Sequence, residues 1–116
     1  MGEFAFPPGL HLKKPGEFRA VFDRGVKRHT RGFVLFRAAN SLECARLGVS
    51  VSRKVGGAVV RNRVKRLVRE AFRLNWRAWE LSGSDLVVIA KRGVDALGFH
   101  EVSREFAAAL PFRGRK

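Results

Sequence analysis

The chain has 116 residues, with 24 Lys and Arg against 10 Asp and Glu, and its formal net charge is +14. This length allows one domain, and a hydrophobic fraction of 46% excludes a wholly disordered basic tail. The single cysteine, Cys44, excludes an intramolecular disulfide and a thiolate metal cluster, which favours an intracellular, metal-free chain. Such an excess of positive charge predicts a polyanionic partner, nucleic acid first and an anionic membrane second.

The two ends of the chain are predicted to lie outside the domain. Residues 1–11 show no periodicity and contain Pro7 and Pro8, while residues 113–116 form a short basic tail, so the domain is predicted over 12–112. The acid Glu3 and the two prolines do not fit a signal peptide, and no run approaches 18 apolar residues. We therefore expect a cytoplasmic protein.

The first predicted element is a short helix over 15–24. Phe18, Val21 and Phe22 recur at helical spacing, Pro15 stands near the helix start, and Gly25 stands where a helix would end. On periodicity alone, Phe18 and Phe22 are expected to belong to the core.

Two segments, 32–38 and 46–52, have the length and composition of strands, and a turn-like stretch at 40–43 joins them. We predict that they pair as an antiparallel hairpin. In the second strand, Leu47, Val49 and Val51 alternate with small or polar residues and are predicted to face the core. The opposite face, with Gly48 and Ser50, fits either solvent exposure, which the residues alone favour, or the floor of a groove.

A long helix is predicted over 58–81 after a Gly-Gly pair, followed by a buried strand over 85–90 and a last helix over 99–110. Val102 and Phe106 are predicted on the apolar side of this last helix. The few alternating elements predict an α/β two-layer sandwich, in which helices pack on one small mixed sheet.

The long helix concentrates the positive charge. Seven basic residues and the acid Glu70 lie between Arg61 and Arg77, so this stretch carries 7 − 1 = +6. At about 100° per residue, the predicted apolar arc contains Val60, Val64, Leu67, Val68, Ala71, Leu74 and Ala78. The predicted basic arc contains Lys65, Arg66, Arg69, Arg73 and Arg77.

A charged helix face that only contacts solvent usually mixes acidic and basic residues. Here Glu70 is the one acid, and from its position it can reach only Arg66 and Arg73. The remaining guanidinium groups favour a phosphate backbone as partner. The Val and Ala of the apolar arc suit packing on a sheet better than insertion into a membrane surface. Trp76 fits two interpretations, a base-stacking residue or, as the residues favour, a ring covered by the loop or the last helix.

The run from Arg46 to Arg73, with its Arg61-Asn62-Arg63 element, resembles the signature of the bacterial ribonuclease P protein subunit. The upstream run Leu12-Lys-Lys-Pro-Gly-Glu-Phe18 is also similar in type and spacing. The family pattern is also matched in residue type and spacing by Phe22, Gly25, Phe33 and Phe36. The resemblance covers about residues 12–110.

This resemblance implies a ribonucleoprotein endonuclease that removes the 5′ leader of precursor tRNA. The catalytic centre and most of the bound magnesium would belong to the RNA subunit, and the protein would hold no cofactor of its own. Its partners would be one catalytic RNA per protein and the precursor tRNA, with neither a membrane nor DNA. The implied fold is ribosomal protein S5 domain 2-like, with a left-handed strand, helix, strand crossover against the general rule.

The resemblance also implies two RNA surfaces and no catalytic residue in the protein. The predicted residues for the catalytic RNA are Arg61, Asn62, Arg63, Lys65, Arg66, Arg69 and Arg73. The predicted residues of a cleft for the single-stranded leader are Phe18, Phe22, Phe36, Ser50, Arg53 and Lys54. The sequence departs from the family pattern at two places. Phe36 stands where the family often has tyrosine, and His11 with an apolar lead-in replaces the usual basic residues.

Two other function classes stay open from the residues. One is a non-catalytic RNA-binding protein of the ribosomal type with the same sandwich fold, which would not distinguish precursor from mature tRNA. The other is a DNA-binding nucleoid protein, for which duplex DNA would compete with RNA. Scattered histidines, no tyrosine and no carboxylate pair beside a base argue against a protein-only nuclease.

Overall fold

The structure, a computed structural model, describes residues 12, 15–40, 45–81, 83–94 and 98–110. The predicted lead-in at 1–11, the tail at 113–116 and most of the turn at 40–43 lie outside these residues. The elements in chain order are α1 (Pro15–Arg24), β1 (Val26–His29), β2 (Phe33–Ala39), β3 (Arg46–Ser50), α2 (Ala58–Asn75), β4 (Ser84–Ala90) and α3 (Phe99–Ala109). This arrangement confirms the predicted α/β class and adds β1, which the sequence pattern did not predict.

The four strands form one mixed sheet in the order β1-β2-β4-β3. The predicted hairpin of β2 with β3 is therefore wrong, because β4 lies between them, antiparallel to β2 and parallel to β3. β4 is buried along nearly its whole length, which suits a central strand with neighbours at both edges and both faces covered. The shorter and partly exposed β3 lies at an edge.

Helices cover the two faces of the sheet unequally. The main core packs α2 and α3 against one face, around Phe33, Leu35, Leu86 and Phe106, which are fully buried. A smaller cluster joins α1 to the opposite face, and it consists of Leu12, Val21, Ala38 and Val87. The face under α1 is thus the thinly covered one, and it keeps open surface beside the helix.

α2 ends at Asn75, six residues before the predicted end, and residues 76–80 continue as turns. Its buried residues are Val64, Val68, Ala71 and Phe72. The prediction of Leu74 and Ala78 as core residues is wrong, since Leu74 is 44% exposed and Ala78 is exposed beyond the helix end. The large Phe72 side chain shifts the apolar arc away from Leu74. Val102 and Phe106 are buried on α3, as predicted.

The turn after α2 is fixed by Arg37, a buried arginine of β2. Its guanidinium donates hydrogen bonds to Ser84 Oγ at 3.0 Å, to the carbonyl of Leu110 at 3.0 Å and to the carbonyl of Glu80 at 2.5 Å. Glu80 itself has a φ of +59°, in the left-handed region. These bonds satisfy the carbonyl of the residue that caps α3 and that of the last residue of the 76–80 turn, and they hold this turn against the sheet.

Candidate nucleic-acid interface

Three phenylalanines meet at the edge of α1, and we call Phe18, Phe22 and Phe36 the aromatic cleft. Phe22 packs edge-on against Phe36 of β2 with ring centroids 4.8 Å apart and lies 6.4 Å from Phe18. Phe18 and Phe36 are half-buried against the small core, while Phe22 is 39% exposed. The prediction of Phe22 as a core residue from periodicity alone is wrong, and the rings present a partly open apolar surface.

Gly48 of β3 makes room for the Phe18 ring of the aromatic cleft. A Cβ at this position would lie 2.7 Å from Phe18 Cζ and 3.1 Å from Leu12 Cβ. Gly48 is buried under these two side chains, so the interpretation of its face as simply solvent-exposed is wrong at this position. The absence of a side chain lets Phe18 lie directly on the strand.

Lys27 of β1 places a cation on the same surface. It lies opposite Phe36 in the β1–β2 register, so both side chains point to the same face, and its Nζ is 5.9 Å from the Phe36 ring centroid. The sequence pattern does not predict this residue because β1 is a four-residue strand, Val-Lys-Arg-His, with three exposed side chains. The usable signal was the turn-like Thr30-Arg31-Gly32 before a predicted strand.

The sheet is more open two residues farther along the strands than the row that contains Phe36. His29, Val34, Ile89 and Ser50 follow one another across β1, β2, β4 and β3 in the pairing register and point to the α1 face. His29 and Ser50 are exposed, and Val34 and Ile89 are half-buried. This partly exposed row lies beside the aromatic cleft on the α1 face, and we call it the groove floor.

An ion pair anchors α1 on the other side of the aromatic cleft, at the opposite end of the strands from His29 and Ser50. Arg46 of β3 donates two hydrogen bonds to the Asp85 carboxylate, Nε to Oδ1 and Nη2 to Oδ2, both at 2.7 Å. A third donor, Asn40 Nδ2, lies 2.9 Å from Oδ1. Arg46 Nη1 also lies 3.9 Å from Glu17 Oε2 on α1. The pair therefore connects the two parallel strands to the helix that carries Phe18 and Phe22.

The outer face of α2 carries the second predicted surface. Asn62, Arg63, Arg66 and Arg69 are exposed, and we call these four residues the basic face. Arg61, Lys65 and Arg73 are half-buried, and the Arg61 Nε atom is buried without a hydrogen-bond partner in the described part of the chain. Arg73 is paired with Glu70, with its Nε 3.3 Å from Oε1, so one of the two predicted partners of Glu70 is confirmed.

Beyond the helix end, the Arg77 guanidinium lies over the Trp76 ring, with its Cζ 4.7 Å from the ring centroid. Trp76 is half-buried and packs against the main core. This agrees with the interpretation of Trp76 as a covered ring, although Arg77 was not predicted as part of the cover.

Two adjoining pockets of about 320 and 330 Å³ lie between α3 and the β1–β2 turn, and His29 is part of the lining of the second. They share Arg31, Glu105 and Ala108. Glu105 Oε1 accepts the Gly32 backbone N–H at 3.0 Å, so this acid supports the turn. The mixed charge of the walls contrasts with the cationic character of the basic face.

A model of the ribonuclease P family matches residues 6–111. The chain belongs to the ribonuclease P protein family. The ribonuclease P protein component of Natranaerobius thermophilus is 47% identical over 95 residues, covering 82% of each chain. That of Geotalea uraniireducens is 41% identical over 110 residues, covering 95% of this chain and 96% of the relative.

Solved ribonuclease P proteins also share the fold. The Staphylococcus aureus protein matches with a TM-score of 0.78 and 29% identity over 88% of this chain and 93% of its own. The Thermotoga maritima protein matches with a TM-score of 0.76 and 31% identity over 84% of this chain and 92% of its own. The ribonuclease P fold therefore holds for nearly the whole described part of the chain.

The residues predicted from the ribonuclease P resemblance separate into three places. The aromatic cleft brings together Phe18, Phe22 and Phe36, and Ser50 lies on the adjacent groove floor. Arg53 and Lys54 are exposed in the turn after β3, and neither contacts an aromatic ring within the described residues. The residues predicted for the catalytic RNA all lie on α2.

Proposed function

We propose that this chain is the protein subunit of a ribonucleoprotein endonuclease that removes the 5′ leader from precursor tRNA. Its membership of the ribonuclease P family supports a role in tRNA processing. In the proposed enzyme the catalytic centre belongs to the RNA, and the protein binds and orients two RNA segments. We propose one protein per catalytic RNA, in the cytoplasm, without a membrane or DNA partner.

The proposed leader site is the aromatic cleft with the groove floor beside it. The observation that carries this proposal is the exposed Phe22 ring packed on Phe36, together with the Lys27 cation over the Phe36 ring. Aromatic rings that stack on bases, together with cations along the backbone, hold a single strand without reading its sequence. This suits a leader whose sequence differs from one precursor to the next.

The proposed site for the catalytic RNA is the basic face of α2 with the flanking Arg61, Lys65 and Arg73. Guanidinium groups form paired hydrogen bonds with phosphate oxygens, which suits the backbone of a folded RNA. The two proposed surfaces lie on different elements, α1 with the sheet and α2. The protein would thus contact the leader and the catalytic RNA at the same time.

The chemistry of cleavage is assigned to the RNA. Among the described residues, no three His, Cys, Asp or Glu side chains lie where they could share a metal ion, so these residues do not fit a protein-held magnesium site. We propose that magnesium is bound mainly by the RNA and that the protein holds no cofactor. None of the helices in the described ranges has the length and hydrophobicity of a membrane span.

Leader dependence tests this function against a non-catalytic RNA-binding role. The protein assembled with its catalytic RNA should bind precursor tRNA more tightly than mature tRNA, measured by filter binding with the two tRNAs matched apart from the leader. It should also raise cleavage of the precursor at low magnesium relative to the RNA alone. Equal affinities for the two tRNAs would favour the ribosomal-type alternative, and cleavage by the protein without RNA would refute the assignment.

A further inference from the structure

The C-terminal end of α2 holds a preorganised arginine, Arg77, which belongs to the predicted basic arc but is not among the residues that the family resemblance implies for the catalytic RNA. Trp76 caps the helix, its backbone N–H donates to the Phe72 carbonyl at 2.9 Å, and its own carbonyl accepts the Leu81 N–H at 3.0 Å. Its ring packs against the main core. The Arg37 bonds to the following turn hold the same segment from the other side. The indole is therefore a fixed platform.

Arg77 lies on that platform and is exposed. Within the described ranges the Arg77 side chain makes no hydrogen bond or ion pair, so the ring is what holds its guanidinium in place. A guanidinium stacked on an aromatic face keeps the N–H groups of its edge available, and these can donate in pairs to phosphate oxygens. Holding the side chain in advance lowers the entropy lost on binding.

Arg77 continues the line of positive charge along α2. It follows Arg69 by eight residues, which corresponds to about 12 Å along the helix direction. Arg73 lies between them but is paired with Glu70. Arg77 is therefore the first arginine after Arg69, along α2 and the turn that follows it, whose side chain has no acidic partner in the described chain.

We propose that Arg77, positioned by the Trp76 ring, binds a phosphate of the catalytic RNA and extends the basic face past the end of α2. This inference rests on the proposed function of that face. It also assigns Trp76 a positioning role, because the guanidinium occupies the face of the indole on which a base would stack.

The test measures the dissociation constant of the cognate catalytic RNA over a series of KCl concentrations. Arg77→Ala should weaken binding about tenfold and lower the slope of log K against log salt by about 0.7 to 0.9, the value for one lost phosphate contact. Arg92→Ala is the matched control, since Arg92 is exposed in the turn after β4, and it should change neither quantity. An unchanged slope for Arg77→Ala would overturn the proposal.

Arg69→Ala separates this proposal from the function on which it depends. If Arg69→Ala lowers the slope and Arg77→Ala does not, only the extension past α2 fails. If neither variant changes affinity or slope, the assignment of the catalytic RNA to α2 fails with it.

A double-mutant cycle tests the role of Trp76. Trp76→Leu should weaken RNA binding, and adding it to Arg77→Ala should cause no further loss, because Trp76 acts through Arg77. An additional loss in the double variant would show a direct contact of the indole with RNA and overturn the positioning role. Trp76→Phe keeps a ring for Arg77 and should retain most of the affinity, and thermal melting of each variant checks that the half-buried position still folds.

Discussion

Phe18 lies so close to Gly48 that a Cβ on the glycine would be 2.7 Å from the ring tip. The third residue of β3 thus sets the depth at which α1 packs on the sheet, and with it the position of the aromatic cleft. Gly48→Ala should push the half-buried Phe18 ring outward at a cost of about 1 kcal/mol, at the low end for overpacking because the ring can move. The larger effect should be weaker binding of precursor tRNA, with mature tRNA unaffected.

Gly16→Ala is the matched control for this substitution. Gly16 is in the first turn of α1, and a Cβ there would meet no atom within 4 Å. It should therefore stabilise the helix by up to about 1 kcal/mol and leave leader binding unchanged. Unaltered precursor affinity in Gly48→Ala would show that the position of Phe18 does not matter for the leader.

Phe22→Ala distinguishes a binding ring from a core ring. Because Phe22 is 39% exposed, its removal should lower the free energy of unfolding by only about 1 to 2 kcal/mol, from its partial burial and its aromatic contacts. Leader affinity should fall by about 1 to 3 kcal/mol if a base stacks there. The fully buried Phe33 provides the comparison, since Phe33→Ala should cost about 3 to 5 kcal/mol of stability. A stability loss of that size for Phe22→Ala would place it in the core.

The sequence predicts the elements of this fold better than their arrangement. The ranges of α1, β2, β4 and α3 follow from local periodicity and breakers. The neighbours of β3 do not follow from the local pattern. Strand order is decided by which strand becomes central and buried on both faces, and that depends on the packing of all four strands together. The same limit applies to Lys27, which reaches Phe36 only through the pairing of β1 with β2. It applies equally to Arg77, whose position depends on the turn that ends α2.

Lys27 should supply part of the charge that holds the leader. Lys27→Ala removes a cation from the Phe36 ring. The slope of log K against log salt for precursor tRNA, minus the slope for mature tRNA, should therefore fall by about 0.7. Lys27→Arg should restore the slope because it keeps the charge. Arg28→Ala is a same-strand control, since Arg28 points to the other face of β1. A slope lowered equally by Arg28→Ala would indicate a diffuse field rather than a contact by Lys27.

Asp85→Asn should destabilise the fold through Arg46. The Asp85 side chain is only 3% exposed and accepts both guanidinium bonds, so removing its charge leaves Arg46 without its main partner. We expect a loss of about 3 kcal/mol in the free energy of unfolding, measured with urea. Asp23→Asn, at an exposed position on α1, should change stability by less than about 0.5 kcal/mol. Equal small effects at the two sites would show that the Arg46 pair does not stabilise the sheet.

Glu101 should make the stability of the start of α3 depend on pH. Its pKa is lowered from the ordinary value of 4.5 by hydrogen bonds from its own backbone N–H and from that of Gly98, where Oε1 lies 3.0 Å from the nitrogen, and Arg104 and His100 add smaller effects. Gly98 has no side chain to complete a reciprocal capping box, so the carboxylate alone caps this end.

The sign of that dependence follows from the lowered pKa. A carboxyl group with a lower pKa in the folded state contributes its full stability above the unfolded value and loses it as the pH falls through the folded value. The stability difference between the wild type and Glu101→Gln should therefore be largest near neutral pH and should disappear in acid. Arg104→Gln should leave most of the pKa depression in place, read from the NMR titration of the Glu101 carboxyl, because the backbone bonds are its main cause. A return to 4.5 in that variant would show that Arg104, rather than the backbone, holds the carboxylate ionised.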